Sequence, residues 1–222
     1  MGKAIRLTAK DGVEIGGYRA DPATKPIGAV VVIQEIFGVN SHIRTVCDRF
    51  AAQGYVAVAP AIFDRQRPGF ESGYSEAEIV EARKFLADID WNAMLADTEA
   101  AIAEAGKGGL SVAVCGFCLG GSLAFLAATR LDGIKAAICY YGGAIIRFVD
   151  EKPKVPTLMH FGRTDHSIPM SDVETIMDKR KDCEIHIYEA GHGFNCDERA
   201  SYDESSAMTA RKRSLDFLAA HM

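Results

Sequence analysis

Apolar strand-like runs alternate with helical patterns along most of the 222 residues, which predicts an α/β protein with a mostly parallel central sheet and helices on both faces. Continuous apolar runs, as at residues 29–33, are typical of strands that are covered on both faces. Helical periodicity, as at residues 41–54, supplies the covering layers. The length fits one domain over residues 1–222, with its functional site at the carboxyl ends of the strands.

The elements follow in a regular order. The chain opens with a predicted β-hairpin, because residues 5–9 and 13–18 flank Asp11-Gly12, a strong turn signal. Ser75 and Glu78 match the capping-box pattern at a helix start, whereas prolines and glycines mark residues 60–74 as a loop. Further strands are predicted at residues 29–33, 56–60, 111–115, 136–141, 157–161 and 184–188. Helices are predicted at residues 41–54, 75–86, 94–102, 120–129, 171–180 and 206–221.

Composition excludes several classes of protein. The net charge of −5 and the lack of a basic run argue against a nucleic-acid partner. The N-terminus lacks the pattern of a secretory signal, and no apolar stretch is long enough to span a membrane. Cys115 and Cys118 meet the C-x-x-C count, but Cys115 ends a predicted strand and Cys118 follows a turn, so a redox pair is the weaker interpretation. We therefore expect a cytoplasmic monomer with reduced thiols.

The segment Gly116-Phe117-Cys118-Leu119-Gly120 lies between a predicted strand and an alanine-rich helix. This is the setting of the G-x-nucleophile-x-G elbow in the α/β-hydrolase fold, here with cysteine as the nucleophile. Glycines at the two flanking positions avoid a collision in the tight turn. The helix start favours a thiolate because its free N–H groups point at the sulfur.

Other interpretations of the segment remain open to test. Cys118 is a buried structural thiol if the turn has no catalytic role, since cysteine is among the most buried residue types. A phosphate-binding loop is excluded because the glycine spacing fits neither common motif. A metal site of histidine, aspartate and cysteine lacks paired ligands at local spacing, so we expect neither metal nor cofactor.

An elbow nucleophile needs a histidine base oriented by an acid, and both follow the nucleophile along the chain in this fold. Asp165 follows the strand at residues 157–161, and His192 lies between two glycines after the next strand. His166 is the strongest rival histidine, but a residue adjacent to Asp165 cannot readily bond to it. The backbone amides of Ile36 and Leu119 are the candidate oxyanion donors, since Ile36 follows the first interior strand.

The chain resembles the dienelactone hydrolase family in motifs spread along nearly its whole length. These motifs are Q-E-I-F-G-V-N at residues 34–40, R-Q-x-P-G at 65–69, G-[YF]-C-L-G-G at 116–121, Y-Y-G at 140–142 and G-H-x-F at 191–194. The resemblance implies a triad of Cys118, His192 and Asp165. It also implies that Glu35, which from the residues alone is equally a surface carboxylate, holds the resting thiol and takes its proton when substrate arrives.

Three departures from the family pattern concern the substrate. Ile79 and Cys196 stand where the family has arginines that bind the substrate carboxylate, and Gly193 replaces a serine. Arg83, one helical turn after Ile79, can compensate in part, although it is equally a solvated surface arginine. Together with Arg83, the other candidate substrate contacts are Phe37 and Tyr141.

The sequence therefore predicts hydrolysis of a lactone or ester through an acyl-cysteine intermediate. The departures favour a less acidic lactone, ester or thioester over dienelactone itself. The alternatives are a broad carboxylesterase or thioesterase and, from another class, a non-catalytic thiol-sensing protein on the same fold.

Overall fold

A computed structural model describes residues 2–222 and contains one eight-stranded sheet. Its strands are β1 (Lys3–Thr8), β2 (Glu14–Ala20), β3 (Gly28–Ile33), β4 (Tyr55–Pro60), β5 (Val112–Phe117), β6 (Ala136–Tyr140), β7 (Thr157–Gly162) and β8 (Glu184–Tyr188). The helices are α1 (Ser41–Ala52), α2 (Glu76–Arg83), α3 (Trp91–Ala105), α4 (Leu119–Arg130), α5 (Met170–Lys179) and α6 (Glu204–His221), and short 3₁₀ helices span Lys84–Asp88 and Ile145–Phe148.

The strand order across the sheet is β1-β2-β4-β3-β5-β6-β7-β8. β1 pairs with β2 and β2 with β4 in antiparallel fashion, and all other neighbours are parallel. The interior strands β3, β4 and β5 are buried along their whole length, whereas β1 and β8 at the edges are partly exposed. This confirms the predicted α/β-hydrolase class, with apolar runs in the middle of the sheet.

Helices cover both faces of the sheet. α3 and α4 contact each other and pack against the central strands. On the opposite face, residues of α1 and α6 line a second cavity together with Cys115 and Phe117 of β5, as the alternation of side chains along a strand requires. Within residues 2–222, no helix combines the length and the apolar character that a membrane crossing needs.

The differences from the predicted elements lie mostly at their ends. The capping box at Ser75 is present, but α2 ends at Arg83 and its chain continues as the 3₁₀ helix Lys84–Asp88. β5 extends two residues past the predicted end at Cys115, because Gly116 and Phe117 still pair with β6. The nucleophile candidate Cys118 therefore follows the last residue of the strand directly and caps α4.

Candidate active site

The turn between β5 and α4 holds Cys118 in an unusual backbone conformation, with φ of 55° and ψ of −113°. Non-glycine residues rarely adopt positive φ, and such strain costs about 1–3 kcal/mol. The Cys118 amide donates to the Tyr140 carbonyl at 3.0 Å, and the Gly120 amide donates to the Gln34 carbonyl at 3.1 Å. These bonds fix the turn between β3 and β6, so the neighbouring strands hold the strained conformation.

The two elbow glycines are required by close backbone contacts. A Cβ atom on Gly116 would lie 1.9 Å from the Gly120 carbonyl oxygen, and one on Gly120 would lie 2.4 Å from the Ile33 carbonyl oxygen. Both contacts involve backbone atoms, which cannot move aside as a flexible side chain can. The structure thus gives the physical reason for the G-x-C-x-G spacing.

His192 lies between Cys118 and Asp165. Its Nε2 is 3.1 Å from Cys118 Sγ, and its Nδ1 is 2.7 Å from Asp165 Oδ2. The other carboxylate oxygen of Asp165 accepts from the amides of Ser167 and Ile168 at 2.7 and 3.1 Å. The loops after β5, β7 and β8 therefore bring the three residues into one hydrogen-bonded chain at the carboxyl ends of the strands.

The electrostatics of this chain favour a protonated histidine. Burial disfavours the charged imidazolium, but Cys118 and Asp165 on either side outweigh burial and raise the pKa of His192 to about 10. An imidazolium stabilises a thiolate on the neighbouring sulfur, and the N-terminus of α4 adds a favourable dipole there. The arrangement can therefore supply a nucleophilic thiolate.

The rival histidine at position 166 does not join this chain, because its side chain is exposed. His160 is fully buried and bonds to Tyr188 and Ser214 at 2.8 and 3.1 Å. Burial lowers the pKa of His160 well below its usual value, as expected for a neutral structural ring. Neither histidine lies within hydrogen-bond distance of Cys118.

A cavity of about 400 Å³ opens beside the sulfur. Of the residues predicted for the site, Cys118, His192, Leu119, Ile36, Phe37 and Arg83 line it. Leu119 is the first residue of α4, where an amide has no acceptor within the helix. Both predicted oxyanion residues thus line the same cavity as Cys118.

Tyr141 was predicted to contact substrate, but the structure does not bring it to the cavity wall. Its side chain is 0% exposed, and its hydroxyl has no hydrogen-bond partner among residues 2–222. The ring centroid lies 5.1 Å from that of His192. Tyr141 therefore packs against the histidine from within the core, because the β6 strand ends with its side chain turned inward.

Glu35 was predicted to hold the resting thiol, and the structure gives its carboxylate other partners. Oε1 accepts from Arg199 Nη1 at 3.0 Å, and Oε2 accepts from the Tyr74 hydroxyl at 3.3 Å. Glu35 is only 1% exposed, so the arginine provides the countercharge that a buried carboxylate needs. The Cys118 sulfur instead contacts His192.

Arg199 is the site residue that the sequence analysis missed. It lies three residues beyond Cys196, the position at which the family pattern led us to expect an arginine. A Cβ atom on Gly193 would lie 2.5 Å from Arg199 Nη1, so the glycine that replaces the family's serine leaves room for this guanidinium.

One group of possible metal ligands occurs within residues 2–222. Ligand atoms of Glu35, His42 and Cys196 lie within 4.8 Å of one another, and all three residues are buried. His42 Nδ1 lies 3.4 Å from Asp197 Oδ1 but outside hydrogen-bond geometry, and Nε2 has no hydrogen-bond partner within residues 2–222. A cation there would compete with Arg199 for Glu35, so the donor set is already partly engaged in an ion pair.

Known proteins of one family are similar to this chain along nearly its whole length. The profile of the Dienelactone hydrolase family matches residues 15–222. Carboxymethylenebutenolidase from Pseudomonas putida is 35% identical over 227 residues, covering 98% of this chain and 96% of that protein. A Synechocystis protein assigned as a carboxymethylenebutenolidase is 41% identical over 218 residues, covering 89% of this chain and 88% of its own length.

A solved structure shows the same relationship in three dimensions. A crystallised Klebsiella pneumoniae protein, assigned to the dienelactone hydrolases, superposes with a TM-score of 0.86 at 31% identity and covers 99% of each chain. The family profile, the relatives and the structural match all extend over nearly the whole chain. The protein therefore belongs to the dienelactone hydrolase family.

Proposed function

We propose that this hydrolase cleaves a lactone or ester by nucleophilic catalysis, with Cys118 as nucleophile, His192 as acid and base, and Asp165 as the residue that orients the histidine. The single observation that carries the proposal is the position of the His192 ring, with Nε2 3.1 Å from the sulfur and Nδ1 2.7 Å from the carboxylate. A substrate carbonyl in the adjoining cavity would lie beside both the sulfur and the proposed oxyanion amides.

In the first half of the reaction, the Cys118 thiolate attacks the carbonyl carbon and the carbonyl oxygen becomes negatively charged. The amides of Ile36 and Leu119 stabilise that oxygen. When the tetrahedral intermediate collapses, the carbon–oxygen bond to the leaving group breaks and His192 donates its proton to the departing alkoxide. The products are an acyl-cysteine and a neutral histidine.

The second half depends on the change of charge at the sulfur. A thioester carries no negative charge, so one of the two groups that raise the His192 pKa is lost in the acyl-enzyme. The neutral ring then takes a proton from water, and the hydroxide attacks the thioester. Release of the acid returns the electron pair to sulfur as thiolate and restores the starting ion pair. The names of the curated relatives support a lactone as the substrate class.

The test is hydrolysis of para-nitrophenyl acetate and of a panel of lactones and thioesters by wild type, Cys118→Ala and a control, Cys183→Ala. We expect Cys118→Ala to lower kcat/KM by about 10³-fold or more. Cys183 lies outside the cavity, so its variant should keep wild-type activity. Rapid quenching and mass spectrometry should detect one acyl group on the wild type and on Cys183→Ala, and none on Cys118→Ala.

Undiminished hydrolysis by Cys118→Ala would contradict the proposal. A thiol that reacts with iodoacetamide while no substrate of the panel is turned over would favour the thiol-sensing alternative. Turnover of thioesters and simple esters without lactones would favour the broad esterase.

A further inference from the structure

Three buried side chains from distant parts of the chain form a group of possible metal ligands behind the active site. Glu35 follows β3, His42 is the second residue of α1, and Cys196 lies in the loop after β8. One ligand atom from each lies within 4.8 Å of the other two, and the side chains are 1%, 0% and 0% exposed. Spacing along the chain gives no sign of this group, because the tertiary structure assembles it.

The imidazole of His42 carries the clearest sign of a missing ligand. Within residues 2–222, Nε2 has no hydrogen-bond partner, and a buried polar nitrogen in that state is rare in folded proteins. Burial lowers the pKa of His42, so the ring is neutral. Nδ1 lies 3.4 Å from Asp197 Oδ1, where a proton on Nδ1 leaves the lone pair on Nε2. A carboxylate beside the second nitrogen is the usual environment of a histidine that binds a metal.

Cys196 supplies the donor that selects the kind of metal. Burial, and then the nearby Glu35, raise the pKa of its thiol to about 12, so a metal must displace the proton in order to bind the sulfur. Sulfur, nitrogen and oxygen donors together suit Zn²⁺, whereas Mg²⁺ and Ca²⁺ take oxygen ligands. The next residue, Asp197, is exposed, so the path from solvent to the sulfur is short.

The charges of the group balance both with and without a metal. In the metal-free structure, Arg199 neutralises Glu35 at 3.0 Å. With Zn²⁺ bound, the carboxylate of Glu35 and the thiolate of Cys196 balance the two positive charges, as a buried centre requires. The guanidinium that is released has room to turn, because Arg199 lines the cavity of about 400 Å³. Arginine and zinc therefore compete for the same carboxylate.

We propose that Glu35, His42 and Cys196 bind a zinc ion in exchange for the ion pair between Glu35 and Arg199. The thiol proton of Cys196 passes to solvent as the bond between sulfur and zinc forms, and a water molecule completes the tetrahedral site. No atom changes its oxidation state. The site does not depend on the hydrolytic function proposed for Cys118.

The first test uses Co²⁺ as a probe, because a thiolate bound to cobalt absorbs light whereas the zinc complex is silent. Titration of wild type should give a charge-transfer band that saturates at about one equivalent, and added Zn²⁺ should remove it. Cys196→Ser should lose the band. Cys183→Ser is the matched control, since it removes a half-buried thiol outside the group, and it should keep the band. Cys118→Ser should keep it as well.

The second test measures zinc affinity by competition with a chromogenic chelator. His42→Gln should weaken binding by about 100-fold or more, because loss of a ligand costs more than the roughly 10- to 100-fold loss that follows removal of a group behind a ligand. His166→Gln is the matched control at an exposed histidine and should leave the affinity unchanged. Circular dichroism checks that each variant is folded. Since glutamine keeps a polar side chain at position 42, this variant decides the matter if Cys196→Ser does not fold.

Two results would overturn the inference. Wild type that gives no thiolate band and has no affinity for zinc would mean that the polar space around Nε2 of His42 holds water instead. A band that disappears in Cys118→Ser and survives in Cys196→Ser would place the metal on the residues proposed for catalysis. Because both tests measure binding without turnover, either result would leave the proposed hydrolysis to be judged by its own assay.

Discussion

Replacement of Asp165 by asparagine should reverse the hydrogen-bond polarity of the site while keeping its shape. The amides of Ser167 and Ile168 both donate to Asp165 Oδ1, at 2.7 and 3.1 Å, so the oxygen of an asparagine must occupy that position. Its NH₂ group then faces His192 Nδ1, where the carboxylate oxygen now lies 2.7 Å away. Because NH₂ only donates, Nδ1 must accept and the ring proton moves to Nε2.

A proton on Nε2 faces the sulfur at 3.1 Å and prevents the ring from taking the thiol proton. The corresponding substitution in a serine triad lowers kcat by about 10⁴-fold. Cysteine is intrinsically more nucleophilic than serine, so we expect a loss of about 10²- to 10⁴-fold here, or about 2.7–5.4 kcal/mol of transition-state stabilisation.

The assay combines turnover of para-nitrophenyl acetate with the pH dependence of alkylation by iodoacetamide. In wild type Cys118 and Asp165 raise the pKa of His192 to about 10, so the imidazolium is retained at neutral pH and is lost as pH rises through that value. Asp165→Asn removes one of the groups that raise the His192 pKa, so the imidazolium that stabilises a thiolate is less favoured and alkylation at neutral pH should be slower than in wild type. Asp178→Asn, at an exposed position, is the matched control. Activity of Asp165→Asn within threefold of wild type would refute the assigned role.

Two further predictions concern Glu35 and the elbow. If Glu35 accepts the thiol proton when substrate arrives, Glu35→Gln should slow acylation more than iodoacetamide alkylation, because an amide cannot take a proton. Unchanged acylation with a lower melting temperature would instead assign Glu35 to the ion pair with Arg199. Gly116→Ala should cost about 3 kcal/mol or more in denaturant unfolding, because its Cβ would lie 1.9 Å from a carbonyl oxygen. Gly191→Ala, whose Cβ would meet nothing closer than 3.9 Å, should cost much less, and equal costs would contradict the steric account.

The arginines of the cavity come from positions other than the two that the family pattern indicates. Ile79 and Cys196 at the expected arginine positions favoured a less acidic substrate, whereas the structure brings Arg83, Arg147 and Arg199 to the same cavity from other positions. Among them, Arg199 is paired with Glu35. Arg83 reaches the cavity from α2, and Arg147 reaches it from the 3₁₀ helix after β6. Neither residue stands at an arginine position of the family pattern.

Local patterns in the sequence determined the order of strands and helices, the elbow around Cys118, and the loops that carry Asp165 and His192. Each of these depends on the periodicity of a short segment or on a backbone requirement for glycine, both of which are readable without tertiary contacts. The sequence also predicted that Asp165 and His192 lie at the same edge of the sheet as Cys118, because parallel strands end at the same edge.

Only the tertiary structure decided which side chains meet across long stretches of chain. Glu35 and Arg199 are 164 residues apart and pair only because the loops after β3 and β8 converge, with room left by Gly193. Tyr141 points into the core and Arg147 to the cavity, although both belong to the segment after β6. Such orientations depend on packing between elements, which local sequence patterns do not specify. A buried carboxylate needs a positive partner, and the tertiary fold decides which arginine can reach it.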